Sequence, residues 1–447
     1  MKKRFVSLIL SGVLTAALLA GCGGSGGTGT EGTGGSGTEE TAQQDTEQKE
    51  SPDQATEETP PLSGPSEANE IKVWVADNVV AFTTEQIENF RQQYPEFADF
   101  TIIVEPVGEA DAATNMITDV VSGADVYTFA QDQIARLVSA GALEEVAPEN
   151  IEALMKNNVG GSVDAATVGG TLYAYPLTAD NGYFLYYDKS IVTDPGNLDQ
   201  ILADCEAANK NFYMEINSGW YQTAFFFGTG CLLNYETDEA GNFTAAMCDY
   251  ASENGIVAMR EMIRLSSSPA FQNGSSAGEA TNLGAIVDGT WDSGTVKELL
   301  GDNYACAKLP AFTGSDGKTY QMSGFGGYKL LGVKPQVDDL KLACCDALAA
   351  FLSSEEAQLA RYDAVGWGPS NINAQNSEKV QADEALAAVS EQLQYCIPQG
   401  QYPGEYWTLA VSLGDDIRQG NLTADSSDEE IMAALQSFQE TCISYAK

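Results

Sequence analysis

The chain has 447 residues, and its reactive side chains are few in kind. There is no histidine. A Ser-His-Asp or Cys-His nucleophile and a histidine-ligated metal are therefore excluded. Carboxylates are plentiful, with 64 acidic against 22 basic side chains and a formal net charge of −42. Two carboxylates facing one glycosidic bond could hydrolyse it, but nothing in the spacing singles out such a pair. So negative a surface repels phosphate backbones, which excludes nucleic acid as a partner. The thiol of Cys22, in Leu19-Ala20-Gly21-Cys22, is a nucleophile placed where it could take a lipid. Cys205, Cys231, Cys248, Cys306, Cys344, Cys345, Cys396 and Cys442 are scattered without a C-x-x-C, so no zinc or redox motif is expected. Buried free thiols are the expectation for them, and one or two disulfides, whose pairing the sequence does not give, stay open. No metal and no cofactor are called for. Five tryptophans remain: Trp74, Trp220, Trp291, Trp367 and Trp407. An indole face covers the apolar C–H face of a sugar, while Asp, Glu, Asn and Arg hydrogen-bond its hydroxyls.

These groups need elements to position them. Lys2, Lys3 and Arg4 precede an apolar stretch over residues 5–19 that is too short to span a bilayer comfortably. Ending in small residues before Cys22, it looks like a bacterial lipobox. Residues 1–21 are expected to be a lipoprotein signal peptide, removed on export, and two acyl chains on Cys22 suffice for stable anchoring. Residues 22–69 run from Gly, Ser and Thr to Glu, Gln and Asp and then to Pro60-Pro61 and Pro65. They lack the apolar residues to offset their conformational entropy and read as a disordered tether spanning roughly 40 Å. From residue 71 the pattern alternates. A strand over 71–75 leads to a helix over 83–94, opened by the capping-box spacing Thr83-x-x-Gln86 and stopped by Pro95. A strand over 101–107 follows, then a helix carrying Met116, Ile117, Val120 and Val121 and closed by Gly123, a strand over 125–129 and a helix over 132–140. Further strands are predicted at 172–176, 183–187, 211–216, 283–287 and 328–333, with helices at 198–208, 220–227, 252–265 and 291–300. Beyond Asp338 the chain reads as nearly all helical. Alternation of this kind predicts an α/β fold with mostly parallel sheets. Ligands of open α/β sheets bind beyond the carboxyl ends of the strands, which draws notice to Asp77 and to residues 129–132 and 178–181.

Short blocks along the chain carry a resemblance. Ala124-Asp-Val-Tyr-Thr-Phe-Ala-Gln-Asp132 is followed by Ser139-Ala-Gly-Ala-Leu-Glu-Glu-Val146. Gly170-Thr-Leu-Tyr-Ala-Tyr-Pro-Leu177 is followed by Leu185-Tyr-Tyr-Asp-Lys189, with Asp188 where Asn is usual, and Ala285-Ile-Val-Asp-Gly-Thr-Trp291 comes later. In this order, with a lipobox before them, the blocks resemble the extracellular solute-binding lipoproteins of ABC importers, nearest to the maltodextrin-binding, family 1 sugar-binding type. The resemblance implies a type II periplasmic-binding-protein fold: two α/β lobes joined by a hinge, with a ligand cleft between them. The implied lobes are residues 70–179 with 326–370, and 180–325 with 371–447. Hinge crossings are expected near 179–181, 322–327 and 366–371, where Gly324, Gly326, Gly327, Gly366 and Gly368 would tolerate backbone change.

The resemblance also implies the site. Trp291 and Trp407 fall where the family places cleft tryptophans, with Asp292 and Tyr406 beside them, and Trp220 and Tyr221 fall at an aromatic position of the second lobe. Phe129 replaces a first-lobe tryptophan, Asp132 sits at a hydroxyl-binding acidic position, and Asp180 sits beside the hinge. Trp74, inside a strand, is expected in the core. The implied function is reversible capture of a di- or oligosaccharide without catalysis, then delivery to membrane permease subunits. The chain would act as a monomer, lipid-anchored at Cys22 on the outer face of the cytoplasmic membrane of a Gram-positive cell. A peptide or polyamine ligand, or a purely structural lipoprotein, stays open at this stage.

Overall fold

The computed structural model describes residues 64–446 apart from Glu239. The signal segment, Cys22 and nearly all of the tether lie outside the described residues. The principal elements, in chain order, begin with β1 (Glu70–Val75), α1 (Val80–Gln93), β2 (Thr101–Pro106), α2 (Glu109–Thr118), β3 (Val126–Ala130), α3 (Ile134–Ser139) and β4 (Ala174–Pro176). Then come β5 (Tyr183–Asp188), β6 (Asn211–Tyr213), the hairpin β7 (Leu233–Thr237) and β8 (Phe243–Cys248), α4 (Glu253–Ser266), β9 (Phe271–Gln272), β10 (Leu283–Gly289), α5 (Ser293–Leu300) and β11 (Tyr304–Ala307). The chain closes with β12 (Lys329–Val333), α6 (Asp339–Leu352), α7 (Glu355–Val365), α8 (Glu384–Leu393), α9 (Gly404–Arg418) and α10 (Asp428–Ser444).

Two five-stranded sheets organise the two lobes, ordered β2-β1-β3-β12-β4 and β9-β6-β10-β5-β11. β1 and β3 are buried runs, as strands covered on both faces must be, whereas β2 at the edge is partly exposed. The sheets are mixed, not mostly parallel. In the first, β1 pairs parallel with β2 and β3, but β12 is antiparallel to β3 and β4. The second repeats this, with β6 parallel to β9 and β10, and β5 antiparallel to β10 and β11. The cause lies in the connectivity. β12 enters the first sheet directly from the other lobe, so it starts at the edge where β3 ends, and Lys329 pairs with Ala130 there.

The expected crossings lie side by side as hydrogen-bonded strands of backbone. Ala179 N–H donates to Gly368 O at 3.0 Å, and Asn181 and Gly327 exchange bonds at 2.9 and 3.2 Å. Gly366 ends α7 in the left-handed conformation, at φ 76°. Gly368 serves closeness instead, since a Cβ there would lie 2.8 Å from the Cβ of Asp180.

Local expectations shift in three places. A 3₁₀ turn at Asp77–Val79 starts the first helix early, so Thr83 and Gln86 are buried inside α1 and cap nothing. α2 stops at Thr118, which leaves Val120 and Val121 beyond it. The helix predicted over 220–227 contracts to Thr223–Phe226. No helix among the described residues is long and apolar enough to cross a membrane.

Candidate ligand-binding site

The carboxyl ends of β1 and β3 and the amino end of β12 meet one side of a cavity of about 780 Å³. That is the range of small-molecule sites. Residues after β10 and the start of α9 form the other side. Four of the five tryptophans line the cavity: Trp220, Trp291, Trp367 and Trp407. The fifth, Trp74, is buried in β1 and donates its Nε1–H to Glu105 at 2.7 Å.

Trp291 owes its position to the residue two before it. Its ring folds back over Gly289, where a Cβ would come within 2.0 Å of the indole. From there the ring meets Trp220 at a centroid distance of 5.6 Å and an interplanar angle of 42°. Asp292, next along, accepts the Ala277 N–H at 2.8 Å and also borders the cavity. Asn78 of the first lobe reaches across to the Trp291 carbonyl at 3.4 Å. Lys329 is buried at the head of β12, with Nζ 3.5 Å from the centre of the Trp367 ring and 5.4 Å from that of Trp291. Its carboxylate neighbour is Glu109, at 4.0 Å.

Several buried polar atoms of the residues lining this space have no hydrogen-bond partner among the described residues. They include the Nε1–H of Trp220, Trp367 and Trp407 and Oε1 of Glu109. Asp132 also borders the cavity. Burial pushes its carboxyl up to about 7, against hydrogen bonding, notably from Gln133, and the nearby Arg136 guanidinium. Asp288, behind Trp291, is pushed well above the usual carboxylate range by burial and by Asp292.

Of the nine residues expected to touch ligand, Asp132, Trp220, Trp291, Asp292 and Trp407 line this cavity together. Phe129, Asp180, Tyr221 and Tyr406 stand behind its wall. Phe129 is fully buried against Tyr127, two residues along the same strand and so on the same face. Tyr406 immediately precedes Trp407 on α9, so it turns inward and bonds the Gly219 carbonyl at 2.8 Å. Tyr221 packs inside against Tyr183, with ring centroids 4.8 Å apart and the planes tilted by 40°. Asp180 is buried between the adjoining backbone segments at 179–181 and 366–371, where Oδ2 accepts Thr290 Oγ1–H and Gly368 N–H, each at 2.5 Å. The lining residues not foreseen include Glu109, Gln133, Arg136, Lys329 and Gln399. A lysine heading an otherwise apolar strand was the available signal for Lys329. Among the described residues no cluster of three or more acidic or cysteine side chains could hold a metal.

Comparison with known proteins adds a family and relatives. Residues 85–388 match the bacterial extracellular solute-binding protein family. The galactooligosaccharide-binding protein of Bacillus subtilis (strain 168) is 23% identical over 383 residues, covering 79% of this chain and 86% of its own. The maltotriose-binding protein of Pyrococcus abyssi (strain GE5 / Orsay) is 22% identical over 402 residues, covering 84% and 82%. A structure solved with acarbose superimposes with a TM-score of 0.74 at 27% identity, covering 86% of this chain and 100% of that one. The maltodextrin-binding protein MalE1 from L. casei BL23, solved without ligand, gives a TM-score of 0.67 at 26% identity, covering 85% and 99%.

Proposed function

Because the chain belongs to the bacterial extracellular solute-binding proteins, we propose that it captures an extracellular di- or oligosaccharide and delivers it to an ABC permease. One observation carries this reading. Four tryptophans converge on a single cavity, with Asp77, Glu109, Asp132 and Asp292 among the residues around them. Flat apolar faces beside carboxylates complement a sugar ring, with its C–H faces and rim of hydroxyls. The sugars in the names of the relatives agree with it. Asp132, Trp220, Trp291, Asp292 and Trp407 make the contacts, with Glu109, Lys329 and Trp367 added from the cavity. Phe129, Asp180, Tyr221 and Tyr406 support that wall from behind.

Capture involves no bond making or breaking. The lobes, residues 70–179 with 326–370 and residues 180–325 with 371–447, close on the sugar by hinge bending. An affinity near micromolar, about −8 kcal/mol, suits capture followed by release. The chain works as a monomer held at the Gram-positive cell surface by acylated Cys22, with its tether carrying the lobes away from the bilayer.

The test is intrinsic tryptophan fluorescence titrated with maltotriose and galactooligosaccharides, with a peptide and a polyamine as controls. A saturable change with a sugar, lost when Trp220 and Trp407 are both changed to Ala, is expected. A response confined to the controls would discard the carbohydrate reading.

A further inference from the structure

One stretch of each lobe runs directly against the other beside the cavity. On the first lobe it is residues 131–136, from the end of β3 into α3. On the second it is residues 399–404, leading into α9. The Gln401 carboxamide bridges them. Its Nε2–H donates to the Gln131 carbonyl at 2.9 Å, and its Oε1 accepts the Ala135 N–H at 3.0 Å. Ala135 lies in the first turn of α3, whose own preceding residue supplies no side-chain acceptor. An amide there needs an outside partner. Next along, the Tyr402 N–H reaches the Asp132 carbonyl at 3.4 Å. Gly404 lies against Arg136, where a Cβ would be 2.7 Å from the guanidinium. At Ala135 itself, Gly241 of the β7–β8 turn approaches so closely that a Cβ would sit 2.1 Å from the carbonyl oxygen.

Gln401 does not itself line the cavity, yet the two backbone groups it holds bracket Asp132 and Gln133, which do, and adjoin Arg136. We propose that Gln401 is a positioning residue for ligand capture. Its carboxamide fixes the Asp132–Arg136 edge of the first lobe against the second, so that this edge is in place only with the lobes together. The proposal rests on the capture reading above for its consequence, but on the interlobe bonds for its mechanism.

Hydrogen exchange read by mass spectrometry on the full chain tests it, comparing the wild type with Gln401→Ala and Gln401→Glu, without sugar and with maltotriose. Loss of a local partner alone would speed exchange only in residues 131–139. A loosened lobe contact also speeds it in residues 240–248, across the seam. The expected result for Gln401→Ala is faster exchange in both segments, with maltotriose bound about ten-fold more weakly, about 1.4 kcal/mol. Gln401→Glu keeps the acceptor for Ala135 and is expected to recover most of the protection in 131–139. Unchanged exchange overturns the proposal, as does an effect confined to 131–139 with unaltered affinity. If the wild type binds no sugar at all, the carbohydrate reading falls, while exchange at 240–248 still decides whether Gln401 holds the lobes together.

Discussion

Asp132 is the residue through which pH acts most directly on the site. Its folded carboxyl, raised to about 7, keeps a proton that the unfolded chain releases near 3.8. Between those values the folded state binds more protons, so stability falls as pH rises and levels off above 7. So large a rise is worth on the order of 4 kcal/mol for so buried a group. The surplus of acidic side chains gives a slope of the same sign, because raising pH increases self-repulsion. Asp132→Asn separates the two. Thermal melts from pH 5 to 8 are expected to fall less steeply in the variant than in the wild type, and parallel curves would refute the role given to Asp132. At this scale the sequence was half legible. The resemblance drew notice to stretches that border the cavity but could not orient adjacent side chains. Neighbours on a helix diverge by about 100°, so of Tyr406 and Trp407 only the latter meets the cavity. Glu109 and Arg136 were missed because an isolated charge on a helix carries no local sign of what it faces.

Gly289 shows how an element sets a site that no single motif encodes. Its own backbone, at φ −107° and ψ −175°, is open to any residue, so alanine there brings no strain. Its Cβ would nonetheless meet the Trp291 ring at 2.0 Å and push it out of the cavity. Gly289→Ala is therefore expected to imitate Trp291→Ala, with sugar affinity about ten-fold lower and little change in melting temperature. Fluorescence titration beside a melt checks it, and retained affinity would mean that Trp291 is not a ligand platform. The elements themselves were largely legible where apolar periodicity was strong, as in β1, β3 and the helices after residue 338. Direction within the sheets was not, because β12 owes its antiparallel course to a long-range crossing. The β7–β8 hairpin was also missed, since β8 is mostly exposed or half-buried and its sequence, Phe243–Cys248, includes two alanines.

For the whole molecule, the question is whether two lobes with separate sheets behave as one. The crossings bond to one another at 2.9–3.2 Å, and the Gln401 seam adds contacts beyond the hinge. Both favour a single cooperative unit. Ligand at 100 times its dissociation constant stabilises the folded state by about 2.7 kcal/mol. At about 2.1 cal/mol/K per residue, a unit of roughly 380 residues has an unfolding entropy near 0.8 kcal/mol/K, so its melting temperature rises by about 3 °C. If the lobes melted apart, the entropy of each transition would be about half as large. The same free energy credited to one lobe would then move it by about 7 °C and leave the other in place. Scanning calorimetry with and without maltotriose separates these cases. One transition shifted by about 3 °C, with calorimetric and van't Hoff enthalpies in agreement, is the expected result. Two transitions, of which only one responds, would mean that the hinge and seam transmit too little to join the lobes, and that closure is held by the sugar alone.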